Sequence, residues 1–241
     1  MPLYLQVQHT LKEMIEDEEF GPGEQIPSER ELSDMLGVSR MTVRRAVESL
    51  MEMGLLERRS TSGTYVRLPS VVRNVGSGYS IGITQLLSEE GARAGSRLLT
   101  FEYARAPRKV ADRLGLRVGE SVVKIERLRL VNDIPFCIET SYIPASFVPG
   151  MQSNDLAEKD TSLYALLKTR YGIAIVRSEG TVKISHCLHE EADLLNLSEG
   201  DPVMYMVAVV YDTNDNRVEY LKSVNHPERV AFRTFRNLES S

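Results

Sequence analysis

Residues 27–66 carry the pattern that most constrains how this chain of 241 residues folds. Ser28 and Glu31 are spaced as a capping box, which predicts the start of a helix that ends at Gly37. A second helix is predicted to begin at once, with Ser39 as its N-cap. Its apolar positions recur at spacings of three and four residues, at Val43, Ala46, Val47 and Leu50. Two short helices joined by so tight a turn predict a helix-turn-helix unit.

The second helix of this unit carries arginines on its free face. Arg40 and Arg44 are four residues apart and therefore share one face, with Thr42 in the first turn. Beyond the helix, residues 55–59 and 64–66 are predicted to form the two strands of a wing. Arginine spacing alone is equally compatible with a solvated basic face, although guanidiniums there also reach guanine edges and phosphate oxygens. Because the capping box, short turn, basic face and wing occur together and in order, the segment predicts DNA binding.

The net charge of −5 does not contradict this prediction, because charge is segregated along the chain. Acidic residues cluster near the end of the first predicted helix, residues 3–18. From Arg40 to Arg67 there are six arginines and three glutamates. A locally positive face on an acidic protein favours specific binding over generic coating of DNA.

Length and composition predict a cytoplasmic protein of two domains. The chain is too long for one winged helix, and its 42% of hydrophobic residues is enough to build cores. No apolar run approaches the ~18–20 residues that span a bilayer, and no secretory signal precedes the first helix. Cys137 and Cys187 do not make a disulfide framework. We therefore expect no membrane partner.

The pattern predicts a DNA-binding domain over residues 1–67, a glycine- and serine-rich linker over 68–80 and a second domain over 81–241. In the second domain, segments rich in valine and isoleucine flank turn residues at 132–133 and 214–216, which predicts hairpins. Because hairpins dominate, we expect an α+β fold with a mainly antiparallel sheet and helices packed against it.

Arg127 and Arg129 lie two residues apart in a predicted strand, so their side chains project from the same face. Glu139 is placed in the paired strand, where it can lie beside them. Spacing alone favours an arginine–glutamate ladder on a solvated sheet face. If the face is instead enclosed, two adjacent guanidiniums require an anion, and arginine matches carboxylate or phosphate in a bidentate way.

The N-terminal motifs resemble those of the GntR family of bacterial transcription regulators. The resemblance rests on residues 27–32 (PSEREL), 38–44 (VSRMTVR) and 63–66 (GTYV). It implies that DNA is contacted by Arg30, Ser39, Arg40, Thr42 and Arg44, and that the wing tip enters the minor groove. At that tip the chain has Thr61 where the family has glycine, so Gly63 becomes the candidate for close backbone approach to DNA.

The C-terminal motifs resemble the effector domain of the HutC subfamily, whose fold is similar to that of chorismate lyase and which acts as a ligand sensor. They are residues 127–130 (RLRL), 139–144 (ETSYIP), 162–164 (SLY) and 218–220 (VEY). The resemblance implies an effector pocket lined by Arg127, Arg129, Glu139, Ser162, Tyr164 and Glu219, with Thr84 in a ligand-facing loop. Residues 225–229 (NHPER) depart from the subfamily pattern of an aromatic residue, arginine and an acidic–basic pair. One pocket wall is therefore altered, and a sugar phosphate is not assumed as the ligand.

Several other interpretations compete with these assignments. Ser162 also suits a helix start, and Tyr164 a core position. A group of five potential metal ligands lies at His186, Cys187, His189, Glu190 and Glu191, but no second group completes a site. Glu139 and Glu219 would suit an acid–base pair in an enzyme, yet no nucleophilic triad, phosphate loop or cofactor lysine accompanies them. A constitutive architectural DNA protein would not need a second domain with converging arginines.

The patterns and the resemblance together predict a ligand-responsive bacterial transcription regulator that is not an enzyme and needs no metal or cofactor. We expect a repressor that binds a palindromic operator as a homodimer, because one winged helix reads only a short half-site. We expect a small anionic metabolite, a carboxylate or a phosphate, to release it from the DNA. Residues alone fix neither the operator sequence nor the identity of this metabolite.

Overall fold

The computed structural model describes residues 2–17, 19–21, 23–59, 63–67, 71–75, 82–89, 92–158 and 161–234. Thr61, the predicted wing tip, lies outside the described residues. The chain divides into two compact units, residues 1–69 and 70–241. Within the described residues, no helix is both long enough and apolar enough to cross a membrane.

The first unit contains three helices and a two-stranded antiparallel sheet. Its elements are α1 (Leu3–Glu16), α2 (Glu29–Leu36), α3 (Arg40–Glu52), β1 (Leu56–Arg59) and β2 (Gly63–Val66). Leu11 of α1, Leu32 of α2 and Leu50 of α3 are fully buried in one core, which also contains Leu56 of β1. This single core fixes α3 against the other two helices and leaves its opposite face to solvent.

Local hydrogen bonds set the tight connection between α2 and α3. The backbone nitrogen of Glu31 donates to the Ser28 hydroxyl and the Glu31 carboxylate accepts from the Ser28 nitrogen, which confirms the capping box. Gly37 ends α2 at a φ of 65°, in the left-handed region that favours glycine. Ser39 then caps α3 by accepting from the Thr42 nitrogen. The predicted helix-turn-helix is therefore confirmed.

The wing strands pair from Leu56 opposite Val66 to Arg59 opposite Gly63. Gly63 has a φ of 122°, and a β-carbon at this position would lie 2.4 Å from the side-chain nitrogen of Gln25. The positive φ is what favours glycine here, because the end of the flexible Gln25 side chain could move away from a β-carbon. It gives Gly63 a structural role besides the DNA contact that the resemblance implies.

The second unit is built on a six-stranded antiparallel sheet with short helices around it. Its elements are β3 (Val71–Val75), α4 (Ile83–Glu89), β4 (Ala94–Arg105), α5 (Arg108–Leu114), β5 (Ser121–Val131), β6 (Ile134–Pro144), a 3-10 helix (Ser153–Leu156), α6 (Leu163–Tyr171), β7 (Ile175–His186), α7 (His189–Leu195), β8 (Pro202–Asp212), β9 (Arg217–Asn225) and β10 (Val230–Thr234). The strand order is β4-β5-β6-β9-β8-β7, and β3 pairs with β10 in a separate parallel pair. The α+β fold class is confirmed.

The two faces of the large sheet have different neighbours. Val122 and Leu128 of β5, at even positions, pack in clusters with α5 and α7 respectively. Val123 and Ile125, at odd positions, pack in the cluster that contains α6. Side chains two apart share a face, so the odd positions that follow along β5 also lie on the α6 side. That face is where the predicted arginine pair is found.

The predicted linker over residues 68–80 is wrong for residues 71–75, which form β3 in the second unit. Val71 is fully buried, and β3 runs in register with β10 from Val71 opposite Val230. A glycine- and serine-rich composition nearby obscured a strand whose partner lies at the far end of the chain. Thr84 is likewise in helix α4 and not in a loop, because Ile83 and Leu87 form a buried apolar side of a short helix.

Candidate ligand site and nucleic-acid interface

Three buried arginines surround one buried glutamate on the α6 side of the sheet. Glu139 lies directly opposite Arg127 in the β5–β6 register, and Arg129 is two residues further along the strand. Arg73 reaches the same carboxylate from β3. Together with Glu219 of β9 these residues are called the arginine–glutamate cluster.

The carboxylate of Glu139 is shared by all three guanidiniums. Its Oε1 lies 3.2 Å from Arg73 Nη2, and its Oε2 lies 3.0 Å from Arg129 Nη1 and 3.5 Å from Arg127 Nη2. Arg129 also donates through Nη2 to the hydroxyl of Thr84 at 2.9 Å. Arg127 and Arg129 are 4% and 3% exposed, so the solvated ladder that spacing alone favours is excluded.

The second carboxylate of the cluster is bound by a tyrosine. Glu219 is 1% exposed and accepts a hydrogen bond of 2.7 Å from the Tyr164 hydroxyl. Tyr164 projects from the first turn of α6, and a β-carbon added to Gly82 would lie 3.1 Å from its ring. The start of α6 and the residue before α4 are therefore packed together beside Glu219.

Burial and charge act in opposite directions on the two carboxyl groups. Burial raises the pKa of Glu219, and the neighbouring Glu139 charge adds to this. Burial also opposes ionisation of Glu139, but the charges of Arg129, Arg73 and Arg127 outweigh it and hold its pKa below the usual range. Burial, followed by the charge of Arg129, lowers the pKa of Arg127 to about 10. Glu139 is thus the ionised partner of the arginines.

The cluster retains uncompensated positive charge. With Glu139 ionised, three guanidiniums leave a net charge of +2 when Glu219 is protonated and +1 when it is ionised. Among the described residues, no hydrogen-bond acceptor is available to Nε and Nη1 of Arg127 or to Nε of Arg129. Buried donors without partners are costly, and an anion would satisfy them.

Most of the predicted effector residues are brought together by these contacts. The cluster and its immediate partners contain Thr84, Arg127, Arg129, Glu139, Tyr164 and Glu219. Ser162 instead caps α6, its hydroxyl accepting from the Ala165 nitrogen at 3.3 Å. Its part in a ligand site stays a prediction, as does that of the other six residues.

Sequence reasoning missed Arg73 and Ser223, and it named Asn225 only as part of the segment that departs from the subfamily pattern. Arg73 Nη1 donates to the Ser223 hydroxyl at 2.8 Å and to the Asn225 side-chain oxygen at 2.9 Å. Ser223 and Asn225 follow Glu219 at even intervals along β9, so period-two spacing would have found them. Arg73 has no such local signal, because only the pairing of β3 with β10 brings it to the cluster.

The exposed face of α3 forms the candidate nucleic-acid interface. Arg40, Arg44 and, on α2, Arg30 are exposed. Arg44 Nε donates to Glu48 at 2.9 Å, one turn further along the helix. Arg45 is held differently, with its guanidinium 4.0 Å from the centre of the Tyr4 ring on α1. The arrangement leaves Arg30 and Arg40 to solvent and Arg44 in a surface ion pair that an anion can replace.

The start of α3 combines two hydroxyls with a helix N-terminus. The Ser39 and Thr42 hydroxyl oxygens are 2.8 Å apart, and the Thr42 nitrogen donates to Ser39. The Ser39 hydroxyl therefore caps α3, and its contact with the Thr42 hydroxyl orients that side chain. A helix N-terminus of this kind favours a backbone phosphate.

The residues around Cys187 do not assemble into a metal site in the described part of the chain, where no group of three or more potential ligands is close enough. Cys187 is buried, whereas His189 is exposed near Asp193 and Glu199. Cys187 and His189 therefore lie in different environments, one in the core and one at the surface.

A winged helix-turn-helix unit followed by an effector-sensing unit defines a class of bacterial transcription regulators. The chain matches the model for bacterial regulatory proteins of the gntR family over residues 3–66 and the UTRA domain model over residues 89–231. The chain belongs to the GntR family, with an effector domain of the UTRA type.

Several named relatives are repressors. The HTH-type transcriptional repressor NagR of Bacillus subtilis is 33% identical over 96% of this chain and 93% of its own length. The mannosyl-D-glycerate transport/metabolism system repressor MngR of Escherichia coli is 27% identical, covering 100% of this chain and 98% of the relative. The crystal structure of PhnF from Mycobacterium smegmatis is similar with a TM-score of 0.66 and 29% identity, covering 97% of this chain and all of that one.

These comparisons bear on the two other classes of function considered above, an enzyme and an architectural DNA protein. The family consists of transcription regulators, so Glu139 and Glu219 are not the acid–base pair of an enzyme. The UTRA match over most of the second unit and the transcriptional repressors among the relatives favour a regulator over a purely architectural DNA protein.

Proposed function

We propose that this chain is a cytoplasmic repressor that binds a palindromic operator as a homodimer and is released by a small anionic metabolite. The observation that carries the proposal is the net positive, buried arginine–glutamate cluster in the effector domain. A buried excess of guanidinium charge is costly to keep unless an anion binds there.

The proposed effector contacts are those predicted from the sequence. Arg127 and Arg129 bind the anionic group through the donors that lack acceptors in the described residues. Thr84, Glu139 and Glu219 orient these arginines and the rest of the ligand. Tyr164 and Ser162 supply hydroxyls at the start of α6.

The chemistry of a relative agrees with an anionic effector. MngR is named for a mannosyl-D-glycerate system, and glycerate is a carboxylate. Phosphate and carboxylate both match arginine in bidentate geometry, so either satisfies the same donors. The anion class is therefore proposed without choosing between them.

The proposed DNA contacts lie on the first unit. Arg40 and Arg44 read base edges from α3, and Arg30 contacts the backbone from α2. Ser39 and Thr42 bind a phosphate at the start of α3, and Gly63 lets the wing approach the duplex. Because one such unit reads only a short half-site, two copies are needed for a specific operator.

The effector part is tested by thermal unfolding of the full chain with inorganic phosphate and with D-glycerate. A ligand at 100 times its dissociation constant adds ~2.7 kcal/mol to stability. Glycerol is the matched neutral control for glycerate, and sodium chloride at equal ionic strength is the control for phosphate. Stabilisation by an anion but not by its control is expected, and equal stabilisation by both would contradict the proposal.

The DNA part is tested by selecting a duplex from a random library with the full chain. We expect a two-fold symmetric sequence with half-sites about 10–10.5 base pairs apart or a multiple of this. Sedimentation of the complex should give two chains per duplex. A single chain on an asymmetric site would contradict the dimer.

A further inference from the structure

Strand β3 connects the DNA-binding unit to the effector site within a few residues. It begins at Val71, four residues after Arg67, which is the last described residue of the first unit. Val71 is fully buried in the core of the second unit, so the strand is anchored there. Any displacement of β3 therefore acts directly on the chain that leads to the DNA-binding unit.

Arg73 attaches this strand to the arginine–glutamate cluster. Its guanidinium donates to Ser223 at 2.8 Å and to Asn225 at 2.9 Å through one nitrogen, and to Glu139 at 3.2 Å through the other. The guanidinium also lies 6.0 Å from the ring centre of Phe232, the residue opposite it on β10. Arg73 is 8% exposed, so solvent competes little with these contacts.

Glu139 links Arg73 to the proposed anion site. Oε1 of Glu139 accepts from Arg73, while Oε2 faces Arg127 and Arg129. An anion that binds the unpartnered nitrogens of Arg127 and Arg129 attracts the same two guanidiniums that Oε2 holds, and so weakens their hold on Glu139. The strength of the ion pair between Glu139 and Arg73 changes as a result, although the anion does not contact β3.

We propose that Arg73 is the positioning residue that transmits effector binding from the arginine–glutamate cluster to strand β3 and so to operator release. The inference rests on the proposed anionic effector and names the regulation of that site. Coupling of this kind is reciprocal: the anion weakens operator binding by the same factor by which the operator weakens anion binding.

Arg73→Gln is the variant that separates coupling from folding. Glu139 keeps Arg127 and Arg129 as partners, so no buried carboxylate is left unpaired. Glutamine still offers donors to Ser223 and Asn225. We expect the variant to fold and to bind both operator and anion.

The experiment measures the operator dissociation constant of the full chain by fluorescence anisotropy, with and without saturating phosphate or D-glycerate at constant ionic strength. Constant ionic strength is required because DNA affinity falls with salt. In the wild-type chain we expect the anion to weaken operator binding roughly fivefold or more. In Arg73→Gln the change should be less than about twofold, while calorimetry shows anion affinity within about tenfold of wild type.

Two further variants remove a merely structural explanation. Arg73→Lys keeps the charge and should restore at least part of the coupling. Arg93→Gln removes an exposed arginine that pairs with Asp133 outside the cluster, and it should behave as wild type. If Arg73→Gln does not fold, Ser223→Ala removes one acceptor of Arg73 and should give an intermediate coupling.

The outcomes are distinguishable. An Arg73→Gln chain, or in its place Ser223→Ala, with the wild-type response overturns the inference and leaves the proposed function intact. Loss of anion binding itself in Arg73→Gln also overturns it, because Arg73 would then be an ordinary ligand contact. A wild-type chain that binds neither anion overturns the proposed effector and this inference together.

Discussion

Arginines occur in two opposite environments in the two units of this chain. On α3, Arg40 and Arg44 are exposed, and Arg44 pairs with Glu48 on the surface. In the sheet of the second unit, Arg127 and Arg129 are 4% and 3% exposed and share Glu139. The exposed pair suits a large, hydrated polyanion such as DNA. The buried pair suits a small anion that the protein encloses. The same side chain is therefore dispensable for stability in one unit and coupled to it in the other.

The largest expected effect is on the buried side of this comparison. Glu139→Gln leaves three buried guanidiniums with Glu219 as the remaining carboxyl, so we expect the free energy of unfolding to fall by about 3–5 kcal/mol. Denaturant unfolding measures it. Glu102→Gln is the control, because Glu102 is half-exposed and pairs with Lys124 at 3.2 Å on the sheet surface, a contact worth about 0–1 kcal/mol. Equal losses in the two variants would remove the contrast between the environments.

The exposed side should show the opposite behaviour. Arg40→Ala is expected to weaken operator binding by about 1–3 kcal/mol if it loses a bidentate base contact, with unchanged thermal stability. Arg44→Ala should act in the same direction. Glu48→Gln keeps Arg44 but removes its surface partner, and it should bind the operator at least as well as wild type. Wild-type affinity in Arg40→Ala and Arg44→Ala at equal salt would show that α3 does not read the DNA.

A smaller effect should appear in the pH dependence of anion binding. Burial raises the pKa of Glu219 above its ordinary value, so the carboxyl ionises and the cluster charge falls as pH rises through this raised pKa. Affinity for D-glycerate should therefore decrease with rising pH, by at most about tenfold per pH unit for one proton. Glycerate is a suitable probe because its own carboxyl stays ionised over the pH range in which Glu219 titrates. Glu219→Gln should flatten the profile, and a slope that survives in this variant would assign the titration to another group.

The smallest expected effect concerns Ser162, which caps helix α6 and is also a predicted ligand contact. Loss of its cap in Ser162→Ala should lower the free energy of unfolding by about 1 kcal/mol. The predicted ligand contact adds a loss of anion affinity of about 0.5–1.5 kcal/mol. Unfolding and calorimetry on the same variant separate the two. An unchanged anion affinity would reduce Ser162 to a helix cap.

Features of the fold that depend on neighbouring residues were predictable. The capping box at Ser28 and the hairpin at Asn132 and Asp133, both with positive φ, are set by residues within a few positions of each other. The pairing of Val71 with Val230 was not predictable, because no local sequence pattern indicates a strand partner so distant along the chain. Helix α4 was missed because seven residues give too short an apolar pattern.

The same distinction applies to the candidate site. Arg127, Arg129 and Glu139 were predicted to adjoin each other because they lie in two strands joined by a hairpin. Their burial was not predictable from spacing, since it depends on what covers that face of the sheet. Arg73 was missed for the reason that β3 was missed, and with it the proposed link between the candidate ligand site and the DNA-binding unit.

The measurement that tests the central claim most directly is calorimetry of Arg127→Gln/Arg129→Gln with the anion that stabilises the wild-type chain. Arg73 remains as a partner for Glu139, so the double variant should stay folded and bound to the operator. We predict that it no longer binds the anion and no longer releases the operator in its presence. Anion affinity equal to that of the wild-type chain would contradict the account and place the effector elsewhere.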